Sequence, residues 1–386
     1  MSWMFELRGS VSKSQRVIFS IIGFLLLLGL WMILSSGEDP IIQNGILPKP
    51  FSLCDTEMVD KTYVNTKGET ITEQVEKRNN SVFCAFGDLY QDSGLFRNLC
   101  LSLGFNIGGY IKALLWSLPI AFLIGLFPLF NAMFQSQIDA YRFIPLTAVT
   151  GIFLATFGIG SALKVNFLAF GIMIYLVPVI IQRIKEVDDV YVKTVYTLGA
   201  TKWQTIRSVY IPAVLSKLSD DVRVLTAISW TYIIVAEGIG DEGGLGSLIY
   251  KAGKRMGRPD KVFAILIIFI LIGLIQDRIF VYLDKKFFPH KYQVKDQYSS
   301  EIKKESSFEL VIDFIIQAMI WVCLGAYVIL ALDELFGILG GLNLLTYLFK
   351  DTVWVLHIIF LSIIFYKGRK LLMPKLSISQ QPKLAE

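Results

Sequence analysis

Long uncharged apolar runs alternate along the chain with short charged connections. A helix needs about 20 residues to cross the hydrocarbon core of a bilayer, so an apolar run of about 18 or more residues predicts a membrane-spanning helix. The pattern predicts an all-α polytopic membrane protein with eight crossings. The predicted spans lie within Val17–Gly37, Ala113–Ile138, Phe143–Leu163, Val165–Gln182, a run ending with Val224–Ala236 that extends backwards, Val262–Gln276, Phe314–Leu332 and Thr352–Tyr366.

A further apolar run, Leu335–Phe349, is interrupted by Gly337, Gly340 and Gly341. Apolar runs of this length are too short for a full crossing, and irregular backbone is tolerated at membrane depth only where protein or water surrounds it. We therefore expect this segment to be interfacial or re-entrant.

The composition agrees with a membrane protein. The 386 residues are 54% hydrophobic and 18% charged, whereas soluble domains usually contain about 25% charged residues. The net charge of +5 is modest, and in a membrane protein it reflects cytoplasmic loops rather than a nucleic-acid partner. The first apolar run is too long for a cleavable signal, and no small-residue cleavage site follows it closely, so we expect it to remain as a helix.

Lysine and arginine positions predict the orientation, because the cytoplasmic loops of membrane proteins are enriched in both. Basic residues precede the first span, so we expect a cytoplasmic N-terminus. Eight crossings then place residues 183–223, 285–310 and the C-terminal tail in the cytoplasm, and the acidic loop 38–100 outside.

One predicted external loop is nevertheless basic. Its cations are Lys251, Lys254, Arg255, Arg258 and Lys261. They either pair with Asp260 and neighbouring acids or form an electropositive mouth for an anionic solute or a docking protein. Both interpretations stay open at the level of the sequence.

The four cysteines are not spaced as metal ligands, and we expect no metal site. Cys54 and Cys84 lie in the predicted external loop. An oxidising compartment would allow a disulfide between them, and unpaired reduced thiols are the alternative.

The polar segment from Val187 to Ala213, between the fourth and fifth spans, carries helical periodicity. Leu198, Trp203, Ile206 and Val209 fall near one face. Gly199 is expected to end a first helical piece and Pro212 to begin the next element. A short amphipathic helix here either offers an apolar, aromatic surface to a partner's groove or lies on the lipid interface.

This segment resembles the coupling-loop motif of the permease subunits of ABC importers. In that motif a Glu-Ala-Ala triplet is followed after three residues by Gly, and after nine more by Ile-x-Leu-Pro. Gly199 keeps its place, and the later positions are filled by Val209, Ile211 and Pro212. The triplet is replaced by Lys193, Thr194 and Val195. The stretch TLGATKWQ, which includes Leu198, Ala200 and Trp203, is similar to that of nitrate, taurine and sulfonate permeases.

The resemblance to that branch extends over about 17–50 and 88–285. The supporting matches are Leu47–Pro50, Asn98–Gly125, Arg142–Pro145, Phe157–Gly160, Trp230, Ala236–Glu237, Gly244–Gly246 and Asp277–Arg278. It implies a type I importer permease core of about six transmembrane helices, here with two extra C-terminal transmembrane helices. The insertion 51–87 and residues 290–386 lie outside the resemblance. The extra helices either pack against a neighbouring protein or pad the bundle.

These boundaries predict five regions of the chain. They are residues 1–36 with the cytoplasmic N-terminus and first helix, the external loop 37–100 with its insertion, the core 101–285 with coupling loop 183–223, a cytoplasmic connector 286–309, and the extra membrane segment 310–386.

Two residues of the predicted fifth span stand out, Trp230 and Glu237. A carboxylate at membrane depth is costly and is expected to face protein or water with a partner. Glu237 therefore either forms a structural ion pair in the bundle interior or takes part in the translocation path, and Trp230 lies in the same region.

Enzymatic classes are disfavoured. The chain has two histidines, His290 and His357, and neither has a Cys, His or carboxylate at metal spacing on its helix. No Walker-type phosphate loop is present in the sequence, so the chain is expected to bind no cofactor of its own and ATP to be hydrolysed by another subunit.

The resemblance implies a transport subunit of the bacterial inner membrane that passes a small solute, such as a sulfonate or nitrate. It also implies the partners: cytoplasmic ATPase subunits, an external solute-binding protein, and a second copy or a homologous permease. Two rival functions are a proton- or sodium-coupled secondary transporter and a non-transporting membrane scaffold. The first would need ionisable residues within several spans, and these are sparse here.

Overall fold

The computed structural model describes residues 13–35, 48–50, 56–64, 70–78, 81–92, 94–240, 242–255, 257–291, 307–337 and 343–372. Its long helices are α1 (Lys13–Ser35), α3 (Leu95–Leu126), α6 (Ser161–Lys185), α9 (Ile211–Glu237), α11 (Pro259–Phe287), α12 (Ser307–Phe336) and α14 (Val353–Leu372). The shorter helices are α2 (Val82–Asp92), α4 (Pro128–Tyr141), α5 (Leu146–Phe157), α7 (Asp189–Thr197), α8 (Lys202–Thr205), α10 (Leu245–Tyr250) and α13 (Leu344–Phe349). The membrane part of the described chain is therefore helical, as the sequence predicts.

Six described helices are long and apolar enough to cross a membrane, and a seventh crossing is obtained if the bent pair α4 and α5 counts as one. The angle within that pair is 104°. The fifth predicted span corresponds to α9, which has 27 residues but carries Lys217, Asp220, Asp221 and Arg223 in its first half. Because of these charges, α9 is not among the six described helices that are apolar enough by composition to cross a membrane.

Two predicted boundaries were wrong. The run Ala113–Ile138 was predicted to contain the second span, but the chain breaks at Phe127 and Pro128 begins α4, so α3 follows the Asn98–Gly125 match more closely than it follows this run. Proline is favoured in the first turn of a helix because its missing N–H needs no partner there. The second long helix instead begins at Leu95, because Asn98, Ser102 and Asn106 are buried by protein although they are polar.

The chain divides into two compact units, which are described separately. One comprises residues 96–247 and 270–386. Within it, α3 and α9 run antiparallel, since Ser102 contacts Glu237 and Tyr110 contacts the carbonyl of Val222. A buried apolar core lies between α3, α6 and α9, and it includes Ala113, Ile124, Leu176, Ile180, Val214 and Leu218.

The other unit comprises residues 1–95 and 248–269. It contains a two-stranded antiparallel hairpin, β1 (Thr56–Val64) and β2 (Thr70–Arg78), with Val59 opposite Val75 in the register. These strands in the insertion were not predicted from the sequence. The Trp31 indole donates to the carbonyl of Pro48 at 3.2 Å, and its ring packs against Phe263 with centroids 5.7 Å apart.

Candidate functional site

The predicted coupling segment forms two helical pieces. The first is α7, whose N-cap residue Asp188 accepts a hydrogen bond from the Val190 N–H at 2.9 Å. It ends at Thr197 with Leu198 as the C-cap residue, and Gly199 follows with φ +79°, a conformation that glycine adopts without penalty. The predicted break at Gly199 is therefore present.

The second piece continues without interruption into the long helix α9. Thr201 caps α8 in a capping box with Gln204, which satisfies two free backbone donors at the helix start. A π-helical turn over Ile206–Tyr210 then joins α8 to α9, with Pro212 in the first turn of α9. One helical run therefore begins beside Trp203 and ends at Glu237.

The apolar side chains of the segment divide into exposed and half-buried sets. Leu198 is 81% exposed and Trp203 is 67% exposed. Ile206 and Val209 are half-buried, so of the four residues predicted to fall near one face only Leu198 and Trp203 are exposed. The first helical piece contributes further exposed apolar and aromatic side chains, which the sequence analysis did not single out. We define the coupling surface as Val190, Tyr191, Tyr196, Leu198 and Trp203, all exposed.

The other predicted coupling residues are polar or small and lie on the same segment. Lys193 is exposed, and the Thr194 hydroxyl donates to the carbonyl of Val190 at 2.7 Å. Ala200 donates its backbone N–H to the carbonyl of Val195 at 3.2 Å, which closes the turn between the two helical pieces. These residues shape the segment, and no described contact gives them another role.

Ion pairs hold both ends of the segment to the bundle. The Arg183 guanidinium, at the end of α6, donates two 2.7 Å hydrogen bonds to Asp221 of α9 and a third to Glu186. Lys217 also contacts the Glu186 carboxylate at 3.3 Å. The hydrogen bond from Arg183, and then that from Lys217, lowers the pKa of Glu186 below its ordinary value, while partial desolvation opposes the shift. The cluster was not predicted from the sequence because Arg183 and Asp221 are 38 residues apart in the chain.

Glu237 lies at the opposite end of α9 and is fully buried. One of its carboxylate oxygens accepts from the Ser102 hydroxyl at 2.7 Å, and the other accepts from the Gly246 N–H at 2.7 Å. The Ser102 oxygen in turn accepts from the Leu245 N–H at 2.8 Å. One carboxylate oxygen thus holds the start of α10 directly and the other holds it through Ser102, which places Glu237 in the bundle interior.

The backbone at Gly244 approaches this carboxylate so closely that only glycine fits at this position. Gly244 has φ +110°, and a Cβ added there would overlap the Glu237 carboxyl group. Its N–H donates to the Asn98 side-chain oxygen at 2.7 Å. Lys164, fully buried, donates to the Gly243 carbonyl at 3.3 Å and interacts electrostatically with Glu237.

The polar residues of α3 that meet this cluster follow a spacing of four. Asn98 and Ser102 hold the loop and Glu237, and Asn106 donates to the Ser229 hydroxyl at 2.9 Å. Residues four apart share one helix face. The i, i+4 stripe is visible in the sequence, and it is the signal from which this polar cluster could have been predicted.

Trp230 is also buried, and its indole N–H donates to the Gln276 side-chain oxygen at 2.8 Å. Arg223 pairs with Asp277. Both contacts join α9 to α11, so Trp230, like Glu237, lies in the bundle interior.

A polar cavity of about 340 Å³ lies between α4, α6 and α9. Its charged lining residues are Arg142, Lys185 and Asp139. Asp139 and Arg142 pair at 2.7 Å, so the second cation, Lys185, leaves a net positive lining. Gln135, Gln182 and Tyr175 add side chains that can donate hydrogen bonds.

Two cations of the predicted external basic loop are paired within their own unit. Arg258 contacts Asp260 at 2.7 Å and Asp88 at 3.4 Å, and Lys261 contacts Asp88 at 3.8 Å. Hydrogen bonding to Asp260 raises the pKa of Arg258 above its ordinary value. For Arg258 and Lys261, these contacts favour the interpretation that the basic residues pair with neighbouring acids over the interpretation that they form an electropositive mouth. The side chains of Lys254 and Arg255 lie outside the described part of the chain.

Cys84 is disulfide-bonded, and Cys100 and Cys323 are free thiols. Cys54, its predicted partner, lies outside the described residues, so the pairing of Cys54 with Cys84 stays a prediction.

Residues 113–289 match the model of the family described as the binding-protein-dependent transport system inner membrane component. A putative ABC transporter permease of Methanocaldococcus jannaschii is 29% identical over 234 residues, which cover 60% of this chain and 86% of that protein. A putative aliphatic sulfonates transport permease of Bacillus subtilis is 28% identical over 209 residues, which cover 53% and 74%. The inward-facing MetNI methionine ABC transporter matches with a TM-score of 0.45 and 18% identity, over 50% of this chain and 95% of that one.

Proposed function

The chain is an ABC importer permease of the family of binding-protein-dependent inner membrane components, a multi-pass transport subunit rather than an enzyme, and from that premise we propose how it works. We propose that it passes a small anionic solute, such as a sulfonate or nitrate, and that a separate ATPase subunit drives it. The observation that carries the proposal is the helical run from the coupling surface to the loop held by Glu237.

That run suits the transmission of force across the membrane. α9 alone has 27 residues, which span about 40 Å at 1.5 Å per residue. Its first half is tied to α6 by the bidentate pair of Arg183 and Asp221, a geometry that restricts both partners. A displacement of the coupling surface would therefore move α6 and α9 together and reach the loop at Glu237.

The coupling surface is the proposed contact with the ATPase. Leu198 and Trp203 are highly exposed on a segment that carries polar residues around them. Burial of a large apolar side chain in a partner's groove stabilises a complex by about 1.5–3 kcal/mol. Two ATPase subunits would each bind one such segment, and their closure on ATP would rock the bundle between two states.

The remaining partners follow from the family. Two copies of this chain, or one copy and a homologue, would enclose the path, and a solute-binding protein would deliver the solute from outside. The N-terminus, the coupling segment and the connector near residue 290 are assigned to the cytoplasm in this proposal. The chain itself would bind no nucleotide.

Two observations support an anionic solute. The similar protein of Bacillus subtilis is described as an aliphatic sulfonates transport permease. The polar cavity between α4, α6 and α9 has Arg142 and Lys185 against the single carboxylate of Asp139. The external basic loop adds less support, because Arg258 and Lys261 are paired.

The proposal is tested by reconstitution in liposomes with the cognate ATPase and binding protein. A thermal-shift screen of the binding protein against sulfonates, nitrate and neutral solutes of similar size would first identify the solute. We expect that solute to stimulate ATP hydrolysis and to accumulate inside. Uptake driven by a proton or sodium gradient without ATP would contradict the proposal, as would ATP hydrolysis that the loaded binding protein leaves unchanged.

A further inference from the structure

The C-terminal membrane segment lies beyond the matched residues 113–289, but part of it packs tightly against α3. Gly104 and Gly108, one turn apart, face this segment. A Cβ added to Gly104 would lie 3.1 Å from the Phe349 ring, and one added to Gly108 would lie 3.1 Å from a methyl group of Val355. Pairs of small residues at this spacing allow membrane helices to approach closely.

The burial within this segment is local. In the most apolar part of each candidate span, Phe314–Phe336 and Leu344–Tyr366, only 11% of the residues are buried. Thr352 is nevertheless 1% exposed and Val355 is 0% exposed. Ile316, Tyr327 and Asp333 of α12 are buried as well, but the close approach to α3 is made at Thr352 and Val355.

Polar contacts from the same turn reach the outer loop that Glu237 holds. The Lys350 ammonium donates to the backbone carbonyl of Glu242 at 3.1 Å. Glu242 also carries the carboxylate that lies 3.7 Å from the buried Lys164 ammonium. At the start of α3, the Arg97 guanidinium donates to the carbonyl of Tyr347 at 3.3 Å and lies 4.8 Å from its ring centroid.

The backbone of the segment indicates that these contacts fix its conformation. Asn343 has φ 41° and Lys350 has φ 45°, and they flank α13. Asparagine adopts the left-handed region readily, whereas a lysine keeps a positive φ only where the surrounding structure determines it. The turn at Lys350 therefore belongs to a defined docked state.

We propose that residues 343–355 form an outer clamp on the transport core, docked on Gly104 and Gly108. Lys350 is its positioning residue and fixes the loop 242–246. In this arrangement the clamp keeps the Gly246 N–H on Glu237 and so limits the movement of the outer end of α9. The role in transport rests on the proposed function, whereas the docking does not.

The docking is tested by thiol accessibility in the full chain. Thr352→Cys is introduced into a background with Cys100→Ser and Cys323→Ser, and labelling by a membrane-impermeant maleimide is timed. We expect slow labelling in this background and a rise of at least tenfold when Gly104→Leu is added. Gly273→Leu is the matched control, because a Cβ there meets nothing within 4 Å, and we expect no change. Fast labelling without Gly104→Leu, or an equal rise with both leucines, would overturn the clamp.

The positioning role is tested separately in the reconstituted complex. We expect Lys350→Met to raise the number of ATP molecules hydrolysed per solute molecule transported at least threefold. Lys350→Arg should keep the parent ratio. Both variants should elute like the parent protein in size-exclusion chromatography, which shows that they fold. An unchanged ratio in Lys350→Met would overturn the role of Lys350. A parent complex without solute-stimulated ATP hydrolysis would instead contradict the proposed function, and the thiol result would then decide on the docking alone.

Discussion

The Arg183 guanidinium and the Asp221 carboxylate form a bidentate pair, with both hydrogen bonds at 2.7 Å. The pair joins α6 and α9 on either side of the coupling segment. The pair therefore fixes the two ends of the coupling segment relative to each other. A force applied to the coupling surface would then move α6 and α9 together, because the pair prevents the two helices from separating.

We expect loss of this pair to uncouple the subunit. Arg183→Gln should cost about 1–2 kcal/mol of stability, a low value for a charged hydrogen bond because the pair is partly exposed. It should also lower transport more than ATPase binding. The exchange of both residues, Arg183→Asp with Asp221→Arg, should recover part of the transport. Transport rates of the single and double variants in proteoliposomes check this, and full activity of Arg183→Gln would contradict it.

The same cluster predicts a pH dependence. Hydrogen bonding to Arg183 lowers the folded-state pKa of Glu186, so its contribution to stability is present above the ordinary carboxyl pKa and is lost as the pH falls through the folded-state value. We expect the thermal unfolding midpoint of the detergent-solubilised protein to fall by more in the parent than in Glu186→Gln as the pH is lowered from about 5 to about 3, through and below the ordinary carboxyl pKa. Parallel pH curves for the two proteins would show that Glu186 contributes nothing.

Substitution of Trp203 tests the coupling surface. Its 67% exposed side chain is proposed to enter a groove of the ATPase, and a charge there would have to be desolvated without a partner. We expect Trp203→Asp to abolish co-purification of the ATPase and Trp203→Phe to retain it. Unchanged co-purification and transport in Trp203→Asp would count against the coupling assignment.

The loop at Glu237 should be sensitive to small changes. Gly244→Ala places a methyl group against the Glu237 carboxyl at φ +110°, so we expect a loss of about 3 kcal/mol or more, as for strain combined with overpacking. Gly151→Ala is the control, because a Cβ there meets nothing within 4 Å. Thermal unfolding of the two variants checks this. A Gly244→Ala midpoint equal to that of the control would mean that the loop is not held by Glu237.

Cys84 and Cys54 give a chemical prediction. Since Cys84 is disulfide-bonded and Cys100 and Cys323 are free, we expect maleimide to modify two thiols in the denatured, unreduced chain and four after reduction. Mass spectrometry of the labelled peptides checks this. A modified Cys54 before reduction would exclude its pairing with Cys84.

The sequence was sufficient for features with a local cause. Gly199 and Pro212 marked helix boundaries because their effects depend on their own backbone. The burial of Glu237 also followed, because an intramembrane carboxylate needs partners whatever the fold. The identity of those partners, Ser102 and the Gly246 N–H, did not follow, since they come from distant positions in the chain.

The docking of the C-terminal segment could not be read from the sequence for the same reason. Gly104 and Gly108 indicate a close approach of some helix, but a glycine pair does not specify which helix. The exposed side chains of α7 were not predicted because a single helical period was assumed from Leu198 to Val209. The chain breaks at Gly199, so α7 and α8 are separate helices and do not share one period.

The account depends most on which side of the membrane Trp203 faces. Trp203→Cys, with Cys100→Ser and Cys323→Ser, would be labelled with an impermeant maleimide in right-side-out and inside-out vesicles. We expect labelling only in inside-out vesicles, and protection when purified ATPase is added. Labelling in right-side-out vesicles would place the coupling surface outside the cell and contradict the account.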